Sequence, residues 1–208
     1  MKGIETAGSA GYDARMAEAR TVAVVTDDGV FPSSEALAER LLIIGNSGSG
    51  KSTLSERIAR RTSQPVLDLD LVHWHEDGQK RDEDVARDRV RANAVEPSWI
   101  IEGVYGWLAE IAVVRATALI WVDSPWSECR DGLLRRGLRR GMTRSDQDAL
   151  LAWAENYWSR STPSSAAGHE RLFTAFDRPK VRLLTRRDTD ALVVRFEADM
   201  SKSPATLT

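Results

Sequence analysis

From residue 41 onward, short continuous apolar runs alternate with longer charged stretches of helical period. Leu41–Ile44 (LLII) is apolar at every position, not at every second one, so it reads as a strand buried on both faces. Four further runs have the same character: Pro65–Leu69 (PVLDL), Trp99–Ile101 (WII), Ala118–Val122 (ALIWV) and Val181–Thr185 (VRLLT). A helix is expected from Lys51, with Leu54, Ile58 and Ala59 on one face. Charged stretches at Asp82–Val95, Ser127–Arg140 and Asp146–Arg160 read as helices, and Asp188–Ala198 as a closing helix. Strand and helix alternating in this way predict an α/β fold with a parallel sheet covered on both faces.

The regions outside this alternation are short. Residues 1 to about 20 are small and polar, with a short helix expected at Tyr12–Arg20. Thr21–Thr26 (TVAVVT), followed by Asp27-Asp28-Gly29, reads as an extra strand at a sheet edge, and Ser33 and Ser34 offer caps for a short helix through Arg40. Ser161–Gly168 (STPSSAAG) reads as a loop or flexible insertion.

Composition narrows the class. The chain has 208 residues, 42% hydrophobic and 29% charged, as expected of one globular α/β domain with an extension. Its formal net charge of -2 lacks the basic excess of a dedicated nucleic-acid binder. The single cysteine, Cys129, allows no internal disulfide and fits a reducing cytoplasm. The first 16 residues carry no apolar segment of the kind a secretory signal needs, and no run is long enough to span a bilayer.

Gly45-Asn46-Ser47-Gly48-Ser49-Gly50-Lys51-Ser52 satisfies the phosphate-loop pattern G-x-x-x-x-G-K-[ST], between an expected strand and an expected helix. The glycines let successive backbone N–H groups wrap a phosphate chain, and the helix that starts near Lys51 aims its positive end at the same anion. Lys51 reaches the outer phosphates, the Ser52 hydroxyl is a Mg²⁺ ligand, and Thr53 completes the nucleotide contacts. The expected ligand is therefore ATP or GTP with magnesium.

Carboxylates fall where such a sheet places its site, at the carboxyl ends of its strands. Asp68 and Asp70 end the second expected strand, Glu102 the third and Asp123 the fourth. Asp70 suits a base that takes a proton from a substrate hydroxyl. Glu102 suits magnesium or the acceptor, and the following Gly103 lets backbone approach phosphates. Asp123 reads either as a metal-side carboxylate or as a loop or cap residue before Pro125.

Six arginines lie between 130 and 144: Arg130, Arg135, Arg136, Arg139, Arg140 and Arg144. Arg135/Arg139 and Arg136/Arg140 are spaced to share a helix face, where like charges repel unless an anion neutralises them. Arg135 and Arg139 read as nucleotide contacts, and Arg136 and Arg140 as catalytic cations for the transferred phosphoryl group. A solvated helix face and a nucleic-acid backbone contact are the competing readings. Of the seven tryptophans, Trp99 and Trp121 lie in strand runs and belong to the core. Trp74, Trp107, Trp153 and Trp158 either pack or line a substrate pocket, and Tyr105 is a candidate substrate contact. His73 and His75 flank Trp74 without a third metal ligand nearby.

Taken in order, GNSGSGKSTL, LDLDLVHW, SWIIEGVYGWL, ALIWVDSP and the arginine-rich stretch resemble adenylate-kinase-like P-loop proteins. Within them, Leu69-Asp70 with Trp74, and Trp99 to Tyr105, look most like the DNA topology modulation protein group. The resemblance covers about Leu41 to Phe196. It implies a three-layer fold of nucleoside-monophosphate-kinase type, with a five-stranded parallel sheet and a lid carrying catalytic arginines. Glu102 then falls where adenylate kinases carry the Asp of their D-G-F-P-R segment. Val104-Tyr105-Gly106 replaces the F-P-R part, which removes the arginine that grips an acceptor phosphate there and counts against AMP as acceptor. Asp70 falls where small-molecule kinases of this superfamily often carry a base, and the resemblance thereby implies a hydroxyl-bearing acceptor. The expected division is an arm at 1–39, a kinase-like domain at 40–200 and a tail at 201–208. The expected activity is ATP- and Mg²⁺-dependent phosphotransfer to a small molecule or nucleotide. The alternative is a nucleotide-dependent regulator that contacts nucleic acid or protein through the arginines.

Overall fold

A computed structural model describes residues 24–25, 32–138 and 141–202. The expected Tyr12–Arg20 helix, Arg139 and Arg140 lie outside the described residues.

The apolar runs form a sheet at the centre. Its strands are β1 (Val24–Val25), β2 (Arg40–Gly45), β3 (Val66–Asp68), β4 (Trp99–Gly103), β5 (Ala118–Val122) and β6 (Lys180–Leu183). Their spatial order is β1-β6-β5-β2-β4-β3. The five strands from β6 to β3 run parallel, and β1 lies antiparallel on β6 at one edge. Strand β2 sits in the middle, between β4 and β5, so the loop that leaves it opens at the centre of the carboxyl edge.

Nine α-helices are described: α1 (Ser34–Leu37), α2 (Lys51–Thr62), α3 (Leu69–His73), α4 (Glu83–Ala94), α5 (Gly106–Val113), α6 (Trp126–Arg136), α7 (Arg144–Glu155), α8 (Ala166–Ala175) and α9 (Arg186–Lys202). A 3₁₀ turn, Asn156–Trp158, follows α7. Two apolar layers flank the sheet. Leu41, Ile43, Leu54, Ile58, Leu192 and Phe196 pack on one face; Leu42, Ile44, Leu108, Trp121 and Phe173 pack on the other. Residues 41 to 44 are fully buried and split between the two layers, which is why the run shows no alternation. Among the described residues, no helix is long and apolar enough to cross a membrane.

Several boundaries depart from the sequence expectations. The second strand stops at Asp68, which caps α3 by accepting from Asp70 N at 2.7 Å. Asp70 is therefore in the first turn of a helix and not at the end of a strand. Helix α6 stops at Arg136, because Gly137 takes a left-handed φ of 69° and its N–H closes back on Leu133 and Leu134. Of the expected pairs, Arg135 and Arg136 lie in the last turn of α6. The expected loop at Ser161–Gly168 contains the start of α8, capped by Ser165, whose hydroxyl accepts from Gly168 N.

Candidate active site

The phosphate loop is built by close approach. A side chain on Gly45 would lie 2.2 Å from Val122 O on β5, and one on Gly48 would lie 2.2 Å from Cys129 O on α6. The contact is reciprocal, since a Cβ on Gly132 would meet Gly48 O at 2.2 Å. Helix α6 therefore lies backbone against backbone on the loop, and Gly132 is a site residue that sequence patterning missed. Its only signal is a glycine inside an otherwise good helix. Gly132→Ala is expected to destabilise the protein by about 1–3 kcal/mol by overpacking this contact. Chemical denaturation reads the effect, and an unchanged midpoint would refute the packing account. Gly50 differs: at φ 97° it caps α2, and nothing lies within 4 Å of the place a Cβ would take. That open space faces the start of α2, where a phosphate fits.

Lys51 is buried, and its Nζ donates to the loop's own Asn46 O at 2.9 Å. Asn46 holds the loop in turn. Its Oδ1 accepts from Ser47 N at 2.8 Å and its Nδ2 donates to Ala154 O near the end of α7 at 2.9 Å. Ser47, Ser49 and Gly50 complete the turn, and Ser52 and Thr53 are exposed in the first turn of α2.

Two residues fifty positions apart in sequence meet at the mouth of this loop. Ser52 Oγ donates to Glu102 Oε1 at 2.6 Å. Glu102 lies on β4, beside β2, and is only 3% exposed. Burial pushes its carboxyl above the usual range; Lys51 opposes this, Asp68 and Asp70 add to it, and the Ser52 hydrogen bond pulls it back. The two oxygen donors are of the hard type magnesium takes, and the open space at Gly50 leaves room for the phosphates that share such an ion.

Gly103 makes a close approach to α3. A Cβ there would meet Leu69 Cβ at 2.5 Å, so the glycine lets α3 pack onto β4. Asp123, buried just past the end of β5, is held by an arginine of the next strand. Its Oδ2 accepts from Arg182 Nε at 3.0 Å and Nη2 at 2.5 Å, and the guanidinium lies 3.9 Å over the Trp121 ring. The neighbouring strand β6 thus commits that oxygen to an ion pair. Cys129 is buried and its thiol is pushed up to about 12, chiefly by burial, so it is not a nucleophile.

On the β3–β4 side the aromatic residues form a wall. The Tyr105 ring stacks on His73 at 4.1 Å and accepts from Trp74 Nε1 at 2.7 Å. Trp107 meets His73 edge-on, and Trp153 lies 6.5 Å from Tyr105. His73 is buried among these rings, and that burial, followed by the Lys80 charge, lowers its pKa and keeps the imidazole neutral. Half-buried Asp70 stands three residues before His73 on α3, near enough for its charge to act on both His73 and Glu102. Arg160, missed at the sequence level, lies 4.1 Å over Trp153 and donates to Trp153 O and Ser164 O. Arg135 and Arg136 are exposed in the last turn of α6, and Arg144 opens α7. Trp99 and Trp121 are core residues, as expected.

No protein-family profile matches this sequence, and no curated protein matches it. Solved structures do match. A gluconokinase from Sinorhizobium meliloti 1021 is 15% identical, with 80% of this chain and 93% of that one covered at a TM-score of 0.51. A shikimate kinase from Bacteroides thetaiotaomicron is 15% identical, covering 78% and 98%, at 0.50. A shikimate kinase from Acinetobacter baumannii, solved with shikimate, is 12% identical, covering 83% and 100%, at 0.50. The fold is that of the P-loop kinases. At these identities the likeness establishes the fold alone, a five-stranded parallel sheet with helices.

Proposed function

We propose that the protein is a P-loop kinase that transfers a phosphoryl group from ATP to a hydroxyl on a small molecule. The observation that carries this reading is the 2.6 Å bond between Ser52 and Glu102, directly beside a complete phosphate loop. A glycine-rich turn that matched by chance would have no reason to bring a buried carboxylate onto its own serine.

In this reading the backbone N–H groups of Gly45–Gly50 and the start of α2 hold the β- and γ-phosphates. Lys51 leaves the Asn46 carbonyl to neutralise the charge that spreads over the transferred group. Ser52 and Glu102 would hold magnesium, which would supply positive charge against that of the phosphates. Asp123, fixed by Arg182, contributes a stationary negative charge at the end of β5. Asp70 accepts the proton of the acceptor hydroxyl, and the Tyr105, Trp74 and Trp153 wall orients the acceptor. Arg135 and Arg136, with Arg139 and Arg140 beyond the described helix, supply cations from the α6–α7 connection. The narrower kinship with DNA topology modulation proteins rests on the sequence motifs alone. A reducing cytoplasm is the setting we assign, on the single cysteine.

The test is ATP consumption with magnesium against a panel of nucleoside monophosphates, nucleosides and hydroxylated metabolites. One compound is expected to stimulate turnover, and Asp70→Asn is expected to remove roughly 10²-fold or more of that stimulation. A flat, slow rate across the panel would overturn the kinase reading and favour a nucleotide-dependent regulator.

A further inference from the structure

A buried line of hydrogen bonds runs behind the aromatic wall and takes no part in phosphate binding. Trp121 on β5 donates Nε1–H to Tyr157 Oη at 3.2 Å. Tyr157 Oη lies 2.6 Å from His169 Nδ1 on α8, and His169 Nε2 lies 3.1 Å from Val104 O. The directions follow from what each group carries. An indole N–H can only donate, so the single Tyr157 proton goes to His169 Nδ1. His169 then holds its own proton on Nε2 and donates it to the Val104 carbonyl. Trp121, Tyr157 and His169 are all essentially fully buried. Burial first, then the Lys51 charge, takes the His169 pKa down to about 3, so the ring is neutral throughout the working range.

The Val104 carbonyl is the point that matters. It also accepts from Gly106 N at 2.9 Å, which closes a three-residue turn. Tyr105 is the central residue of that turn, with φ -77° and ψ 84°, close to the inverse γ conformation. Ser164 Oγ accepts from the same Gly106 N–H at 3.1 Å. Two donors thus grip one carbonyl, and the residue fixed between them carries the ring that stacks on His73 and accepts from Trp74.

We propose that His169 is a positioning residue for the acceptor side of the site: backed by Tyr157, it holds the Val104 carbonyl and thereby sets the Tyr105 ring that the acceptor meets. The proposal rests on the reading of the Asp70–Tyr105 side as the acceptor side. It also gives residues 154–157 a double duty. Ala154 O holds the phosphate loop through Asn46, while Tyr157 holds the acceptor turn through His169. The segment that follows the arginine-rich connection is therefore in touch with both halves of the site.

The Trp74 indole N–H reports on Tyr105 directly, because Tyr105 Oη is its hydrogen-bond partner. In a ¹⁵N spectrum of the indole groups, Trp74→Phe identifies that resonance. His169→Phe is expected to move the Trp74 resonance by more than its linewidth. His169→Gln, whose amide can donate to Val104 O, is expected to return it toward the wild-type position. Tyr157→Phe keeps the shape of the core and is expected to give a smaller shift in the same direction, which covers the case in which His169→Phe does not fold. With the acceptor found by the panel, His169→Phe should raise its KM roughly 10-fold while the KM for ATP changes less than about 2-fold. A merely structural role would lower thermal stability and active fraction with the acceptor KM unchanged. An unchanged Trp74 resonance in either folded variant overturns the proposal. Should no acceptor respond in the wild-type protein, the phosphotransfer reading fails, and the Trp74 resonance still decides the role of His169.

Discussion

Lys51→Ala is expected to cut phosphotransfer by at least about 10³-fold while leaving the fold nearly intact. The two effects separate for a structural reason. Lys51 Nζ sits on Asn46 O, but that carbonyl also accepts from Ser49 N at 3.3 Å, so removing the ammonium does not orphan it. What disappears is the only side-chain cation of the phosphate loop, at the place where negative charge would redistribute during transfer. Nucleotide-dependent transfer measured beside a thermal melt distinguishes the cases. Turnover within 10-fold of wild type would remove the phosphate loop from the reaction and sink the assignment.

Glu102→Gln is expected to lower magnesium-dependent turnover by roughly 10²–10³-fold, with a melting temperature at pH 7 that does not fall. An amide keeps the hydrogen bond to Ser52 and avoids burying a charge that Lys51 offsets only in part. The pH dependence has a definite sign. The carboxyl is raised above its ordinary value of 4.5, so the folded protein holds that proton more tightly than the unfolded chain. Its contribution to stability is fully present below the ordinary value and is lost as pH rises through the raised one. In the proposed role magnesium binding runs the other way, because the ionised form would be the one to hold the ion. The acid limb of magnesium affinity, measured from the metal-free protein, should therefore lie above the usual carboxylate range and coincide with the loss of that stabilisation. A variant that retains activity within about 5-fold, or a wild-type limb in the ordinary carboxylate range, would take Glu102 out of the metal role.

The sheet was readable because its inner strands β2, β4 and β5 are buried on both faces, and unbroken runs such as LLII and ALIWV fit no other place in an α/β chain so well. The edge strand β3 is instead partly exposed, with Val66 42% accessible. Short helices were harder. Helix α3 has five residues and follows an apolar strand without a break in hydrophobicity, so Leu69 and Asp70 looked like strand. Helix α5 is apolar on most sides, and α8 begins inside a Ser/Pro/Ala segment whose composition says loop until Ser165 is seen to cap it. The phosphate loop, Ser52 and Glu102 were legible because a motif and a strand end fixed them. Asp123 was ambiguous, and its ion-pair partner Arg182, a residue 59 positions away on the next strand, could not be read from its surroundings in sequence. Arg160, His169 and Tyr157 carry no local signal at all. Their roles come from contacts made across the finished fold, and spacing along the chain does not encode those.

The central position of β2 has a bearing on how this protein comes into being during synthesis. The strand emerges early, yet both of its neighbours come from far downstream: Arg40 N, at its start, is bonded to the Thr117 hydroxyl, 77 residues later. The loop that follows it is shaped by Val122 and by the backbone of α6 around Cys129. Such pairings form late, because long loops must close before they are rewarded. On the ribosome, the chain would therefore carry its glycine-rich segment through the synthesis of β4, β5 and α6 before that segment could take up its final shape. If the loop binds ATP as proposed, the nucleotide could not guide the early steps of folding. It would only select molecules that have already finished, and protease resistance conferred by ATP should be absent from nascent chains that stop before α6.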